Sequence, residues 1–266
     1  MKYTQNNKMK LTNLLSELNK DLGKKGKNLV ILASNGILTP KGYGIGSGIY
    51  QSFMNPLRSD LEDIMLNGNT KNISEKVKDL FMNTSFNYEM SRLLESKIND
   101  SKQDTYFAVR SSGIGILDGK EIKEDSRETS LAGQYDSFLK VDSETVEYAI
   151  KCCWASLFNK RSLKHFKIET NPEYLNSKMS VIVQEMIPAE KSAIIMTQDP
   201  MERKGILGIE TTHGSCEALV SGKVEGDLIL YNKETGHLER VDKGAKEKIV
   251  EYEPFSRNNL KNSYLI

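Results

Sequence analysis

The residues with the most chemical promise form one short run. Phe107-Ala108-Val109-Arg110-Ser111-Ser112 passes from apolar side chains into an arginine and two hydroxyls. A polar loop follows and closes at Ser130-Leu131-Ala132-Gly133-Gln134, after which Tyr135 to Val141 alternates like a strand. A strand that delivers an arginine to a glycine-bearing loop suits a phosphate. Arginine is a permanent cation with a forked set of donors, and small residues let backbone N–H groups approach an anion closely. From these residues alone, a hairpin with a long surface loop and a solvated arginine accounts for the pattern equally well.

A second candidate lies near the start. In Gly23-Lys24-Lys25-Gly26-Lys27-Asn28-Leu29, two glycines bracket lysines just before an apolar run. Such a segment can put an ammonium and backbone donors at a helix start, where an anion is favoured. On spacing alone a solvated basic turn explains it better, and the Gly-x-x-x-x-Gly-Lys-Ser/Thr spacing of a P-loop is absent. Arg161 follows a helical segment and by itself needs no role beyond favouring the helix dipole.

The elements that must position these groups are legible in outline. Leu11, Leu14, Leu15, Leu18 and Leu22 predict an amphipathic helix over 11–22. Asn35-Gly36 ends a second helix, and residues 40–45 read as a short strand. Ser47 opens a helix that Asn55-Pro56 breaks, and the pattern from 60 to 100 is helical. Ser143 opens a helix to about Asn159. Met179 to Ile187 and Ala193 to Thr197 read as a hairpin or adjacent strands turning at Pro188-Ala189-Glu190. Another strand is expected over 205–211 and a hairpin over 227–241. The switch from helical to β-branched periodicity near 175–185 predicts an α+β fold of two lobes, 1–180 and 181–266, with a ligand cleft between them.

Composition sets the outer limits. Lys plus Arg is 37 and Asp plus Glu 36, a net charge of +1 that gives no reason to expect nucleic acid or an anionic membrane as partner. Cys152, Cys153 and Cys216 lack metal-ligand spacing and offer no disulfide framework, which suits a reducing cytoplasm. No signal peptide or membrane span is expected.

The chain resembles the N-terminal ATP-binding domain shared by phosphoenolpyruvate synthase, pyruvate phosphate dikinase and rifampin phosphotransferase. Gly23 to Leu29 is similar to that family's Gly-Gly-Lys-Gly-Ala-Asn-Leu, and Thr39-Pro40-Lys41-Gly42-Tyr43 to its Val-Pro-Pro-Gly-Phe. Val109-Arg110-Ser111-Ser112 matches outright. Glu124-Asp125-Ser126 with Ser130 to Gln134 resembles the phosphate loop, and Cys153 to Phe158 with Arg161 resembles Cys-Trp-Ala-Ser-Leu-Phe-x-x-Arg. Val183 to Ile187 resembles the adenine-side hinge, and Thr197 to Pro200 with Gly214 to Gly222 completes the order. Each motif alone is weak; their collinear order over about 25 to 245 is specific.

The resemblance implies an ATP-grasp-like two-lobe domain, helix-rich first and strand-rich second. It implies that Lys25 and Arg110 neutralise the ATP phosphates, with Arg161 assisting. Ser130, Ala132, Gly133 and Gln134 would cover the triphosphate, and Gln184, Glu185, Met186 and Ile187 would meet the adenine. Glu217 is a candidate ribose or loop contact, and a solvated carboxylate is an equal alternative. The resemblance also implies phosphoryl transfer from ATP to a carrier histidine and then to an acceptor such as pyruvate, with Mg2+ held by strands that follow this segment in the family. No match to those strands, to the carrier-histidine motif or to the substrate domain occurs in these residues, so those domains are expected partners. The alternative is a non-catalytic nucleotide-binding or interaction module that kept the fold. Three departures from the family's pattern stand out: Lys24 replaces a glycine, Gly214-Ser215-Cys216-Glu217 replaces Gly-Leu-Gly-Glu, and Gly113 to about Lys120 reads as extra loop beside the phosphate site.

Overall fold

The computed structural model describes residues 22–117, 120–123, 134–167, 171–198, 204–245, 249 and 253–257. The helix expected over 11–22 lies outside them save for Leu22, and so do Ser130, Ala132 and Gly133. Helices and antiparallel sheets both contribute, giving an α+β chain. Two compact units divide between Met186 and Ile187, and the chain returns to the first from Pro254 on. The expected division at 180/181 falls inside a strand, β5 (Lys178–Glu185), all of which belongs to the first unit.

In the first unit, α1 (Gly23–Ser34) ends where Asn35-Gly36 predicts. Gly36 takes φ +77°, its N–H donates to Ala33 O at 3.1 Å, and Ile37 N–H donates to Leu32 O at 3.1 Å. That pair of bonds needs a residue free to adopt positive φ. After β1 (Gly42–Ile45) come α2 (Ser47–Met54), α3 (Arg58–Asn67), α4 (Thr70–Asn83) and α5 (Tyr88–Asn99). Asn69 and Asn87 cap α4 and α5, accepting from Asn72 N–H and Met90 N–H. Then β2 (Phe107–Leu117), β3 (Lys120–Lys123), β4 (Ser137–Val141), α6 (Val146–Ala155), α7 (Lys160–His165) and β5 follow.

The sheet order is β1-β5-β2-β3, with β4 also paired to β2. All pairings are antiparallel. One sheet face is covered by helices. Val109, Met179, Val181 and Val183 are fully buried there, in one core with Tyr50, Phe53, Phe81, Phe86 and Trp154. The rings of Phe53 and Phe81 meet edge to face at 5.3 Å, and Phe53 and Trp154 lie 4.9 Å apart. Burying a side chain of this size stabilises by about 1.5–3 kcal/mol, and such ring pairs add about 0.5–1.5 kcal/mol. Phe255 rejoins this unit against β4, its ring 5.0 Å from Phe138 and its N–H donating to Lys140 O at 2.9 Å.

Two expectations are corrected. The segment from Gly113 is not extra loop: β2 continues to Leu117 and pairs with β3. Its glycines are there because aromatic rings lie against the strand. A Cβ on Gly113 would meet the Tyr135 ring at 2.4 Å, and one on Gly115 the Phe166 ring at 2.3 Å. Nor do the strands on either side of Pro188 pair with one another. β5 lies between β1 and β2, whereas β6 (Lys191–Met196) pairs with β7 (Ile206–His213) in a separate sheet.

The second unit is that separate sheet, ordered β6-β7-β8-β9, with β8 (Asp227–Asn232) and β9 (Leu238–Asp242) forming the expected hairpin. The short helix α8 (Cys216–Val220) packs on β6 and β7 and buries Ala218 and Leu219.

Candidate functional site

Arg110 stands in the middle of the first sheet. It is opposite Ile182 on β5 and opposite Ser137 on β4. Side chains alternate across a strand, so Ala108, Arg110 and Ser112 share one face with Gln184, Ile182, Ser180 and Ser137. This face is the reverse of the apolar one. Ile182 and Ile114 are its apolar positions where β2 and β5 pair, the others there are small or polar, and Ser112, Ser137, Ser180 and Gln184 are buried on it. A face of small residues lets another backbone lie directly on the sheet.

The N-terminal end of α1 does so. Gly23 adopts φ +63°, and a Cβ there would sit 2.2 Å from Ser112 Oγ and 2.8 Å from Ser180 Oγ. Leu22 rests on Gly44 of β1, where a Cβ would meet its Cδ2 at 2.5 Å. The first turn of a 12-residue helix is thereby fixed against β1, β2 and β5, on the face that carries Arg110. The unsatisfied N–H groups and the positive end of the helix dipole lie at this end.

Two cations converge here. Lys25, in the first turn of α1, donates from Nζ to Ser111 O at 2.8 Å, one residue from Arg110. This bond orients the Lys25 side chain along β2. The Arg110 side chain is half-buried, its Nε is shielded from water, and among the described residues it makes no hydrogen bond or ion pair. A shielded N–H without a partner is unusual, because burying an unpaired donor costs about 1–3 kcal/mol. The arrangement is suited to receiving an anion.

Behind Arg110, the segment 134–136 is held by the turn that follows α6. Asn159 Nδ2 donates to Gln134 O at 2.7 Å, and Asp136 N–H donates to Ser156 Oγ at 3.0 Å. Cys153 Sγ donates to Asp136 O at 3.4 Å. Gln134 Oε1 is buried without a donor among the described residues. Arg161 reaches back to this segment and not outward: its Nη2 lies 2.9 Å from Asp136 Oδ1. Burial lifts the Asp136 carboxyl above its ordinary range, and Arg161 and Lys78 oppose that lift.

At the far end of β5, Glu185 N–H donates to Lys41 O and Met186 N–H donates to Tyr106 O, both at 2.8 Å. Those two donors are engaged by backbone, which fixes the segment that Gln184, Glu185, Met186 and Ile187 form. Glu217 lies in the first turn of α8 in the second unit, with Ser215 Oγ accepting from its N–H at 3.4 Å.

Lys25 is thus bonded to the strand residue next to Arg110, Gln134 lies three residues before Ser137, which is opposite Arg110, and Arg161 is engaged with Asp136. Sequence reasoning missed the supporting residues Ser180 and Gly44, and named Ser112 only as a hydroxyl beside Arg110. One signal for them existed: Ser180 interrupts the otherwise apolar run Met179 to Val183. Among the described residues no group of three His, Cys, Asp or Glu side chains could hold a metal ion. Among the described residues no helix is long and apolar enough to cross a membrane.

A sequence profile described as pyruvate phosphate dikinase, AMP/ATP-binding domain, matches residues 19–264. A probable phosphoenolpyruvate synthase of Methanothermobacter thermautotrophicus is 32% identical over 256 residues, covering 90% of this chain and 36% of the relative. An uncharacterized phosphotransferase of Bacillus subtilis is 31% identical over 234 residues, covering 86% of this chain and 25% of the relative. A rifampicin phosphotransferase of Bacillus cereus is 29% identical over 219 residues, covering 77% and 24%. The chain spans about a quarter to a third of the length of these relatives.

Proposed function

Because the chain belongs to the pyruvate phosphate dikinase AMP/ATP-binding domain family, we propose that it is the nucleotide-binding part of a dikinase-type phosphotransferase, with an ATP-grasp-like fold. The triphosphate of ATP lies on the small-residue face of the first sheet. The observation that carries this reading is the half-buried Arg110, whose shielded Nε has no partner among the described residues, with Lys25 at a helix start bonded to the next residue of the strand.

Each residue has a physical role. Arg110 offers two parallel N–H donors to phosphate oxygens, and Lys25 supplies a compact charge beside it. The first turn of α1 adds backbone N–H groups and the positive end of its dipole. Ser130, Ala132, Gly133 and Gln134 cover the triphosphate, and Arg161 assists by holding Asp136 and the segment before it. Gln184, Glu185, Met186 and Ile187 are assigned to the adenine edge. Glu217 is assigned to the ribose or to its own loop.

Phosphoryl transfer is mostly positioning and charge neutralisation. This chain contributes both through Lys25 and Arg110. Mg2+ has no ligand set among the described residues, so no step is assigned to it here. We place the phosphate-accepting histidine and the final acceptor, such as pyruvate, in the parts of the relatives that this chain does not span.

The test mixes residues 1–266 with ATP, Mg2+ and pyruvate and follows binding and AMP release together. Saturable ATP binding without steady AMP release is expected. Robust AMP formation would show that the chain holds its own acceptor and metal ligands. Absence of ATP binding would favour an interaction module that kept the fold.

A further inference from the structure

The first unit contains a second polar cavity, ≈ 410 Å³ in volume, at the other end of β2. Ile116 lines it and lies six residues beyond Arg110. At about 3.3 Å per residue that places it roughly 20 Å along the strand from the Arg110 face. The remaining lining comes from α2, the turn after it, the start of α3 and the segment 175–178.

Its charge is one-sided. Arg58 and Lys178 line it and no carboxylate does. Each cation is anchored at one edge: Arg58 Nε to Glu62 at 3.1 Å and Lys178 Nζ to Glu121 at 3.1 Å. Both terminal nitrogens of Arg58 also donate to Asn176 Oδ1 at 3.2 Å. A guanidinium has five N–H donors and an ammonium three, so two remain on each side chain.

Two of the lining residues are buried and carry hydroxyls. Tyr50, 1% exposed, has a hydroxyl with no partner among the described residues. Ser177, 2% exposed, accepts from Ile116 N–H at 3.2 Å through Oγ, which leaves its proton for an acceptor. Gln51 and Asn55 add side-chain amides. Donors therefore outnumber acceptors around a space of roughly a dozen water volumes, at ~30 Å³ each. Buried polar groups are ordinarily satisfied, and an oxyanion satisfies this set.

We infer that this cavity binds a small dianion through carboxylate or phosphate oxygens, held between Arg58 and Lys178, at a site separate from the Arg110 face. It does not depend on the nucleotide reading, because it shares no residue with that site.

The experiment uses residues 1–266 carrying Arg110→Gln, so that the nucleotide face does not report the anion. Inorganic phosphate and succinate are titrated at constant ionic strength against sodium chloride, and the thermal midpoint and calorimetric heat are read. A ligand that binds only the native state raises the midpoint saturably. Saturation by phosphate alone identifies a phosphorylated ligand, and by succinate alone a dicarboxylate. Saturation by both identifies the shared oxyanion chemistry. Arg58→Gln and Lys178→Gln should each weaken binding tenfold or more. Gln51→Glu, at an exposed position, should do the same by placing a carboxylate in the wall. In the chain with Arg110 intact, Arg58→Gln should leave ATP binding unchanged. A response no larger than that to chloride, or equal affinity in all three variants, overturns the inference.

Discussion

Arg110→Met should move stability and nucleotide affinity in opposite directions. Arg110 Nε is shielded and has no acceptor among the described residues. Its burial costs the native state about 1–3 kcal/mol, to be set against the packing of its methylene stem. Methionine keeps a stem of similar reach and removes the orphan Nε–H donor. The unliganded chain should therefore be unchanged or more stable, by up to ~2 kcal/mol, which is ~4–8 °C in midpoint for a unit of this size. The nucleotide loses a forked, charge-assisted contact worth about 1.5–3 kcal/mol. Its dissociation constant should rise about 10- to 150-fold, since 1.4 kcal/mol is tenfold. Arg110→Lys keeps the charge without the fork and should fall between, near tenfold. Urea denaturation without nucleotide and calorimetric titration with ATP supply the two numbers. A residue with a merely structural role would lose both stability and affinity. Destabilisation of the unliganded Arg110→Met chain by more than 1 kcal/mol, or unaltered ATP affinity, would refute the reasoning.

Three further outcomes follow from the geometry. Gly23→Ala forces a Cβ into φ +63° and to within 2.2 Å of Ser112 Oγ. It should destabilise by about 2–4 kcal/mol from strain and overpacking, and weaken ATP binding by shifting Lys25; denaturation midpoints and titration check both. The Asp136 carboxyl is lifted above its ordinary value of 3.8 by burial, with Arg161 and Lys78 opposing. The native state therefore keeps that proton to higher pH than the unfolded state does, and this group's contribution to stability is lost as pH rises through the window above 3.8. Arg161→Gln removes an opposing charge, widens that window upward and should cost ~0.2–1 kcal/mol at neutral pH for a partly exposed pair, whereas Asp136→Asn should flatten the profile; stability against pH distinguishes them. Burial pushes the Cys152 thiol up to about 12, and Cys153 is fully buried, while Cys216 is partly exposed with its thiol also raised by burial. Iodoacetamide at pH 8 should label the native chain at Cys216 alone and slowly, and all three after denaturation, as read by peptide mass.

Much of the first unit can be read along the chain because its signals are local. Asn35-Gly36, Asn69 and Asn87 act within a few residues of themselves, and each sits where its chemistry requires. The α+β class follows from periodicities of the same short range. What could not be read depends on partners far away in sequence. Gly113 and Gly115 look like loop residues until the rings of Tyr135 and Phe166 are seen lying on them. The strand before Pro188 looks like half of a hairpin, yet its ladders are with β1 and β2, far earlier in the chain. Arg110 and Lys25 stood out by residue type and by resemblance. Their convergence rests on small residues such as Ser112, Ser180 and Gly44, whose meaning comes from strand register alone. Arg161 shows the opposite case: a plausible phosphate cation by position, engaged with Asp136 in the fold.

The most direct measurement compares ATP with adenosine by calorimetric titration, in the native chain and in the double variant Lys25→Met, Arg110→Met. If the Arg110 face holds the phosphates, the native chain should bind ATP at least tenfold more tightly than adenosine. That preference should disappear in the double variant while the weaker adenosine affinity persists. An ATP affinity equal to that of adenosine in the native chain, or an ATP preference that survives loss of both cations, would contradict it.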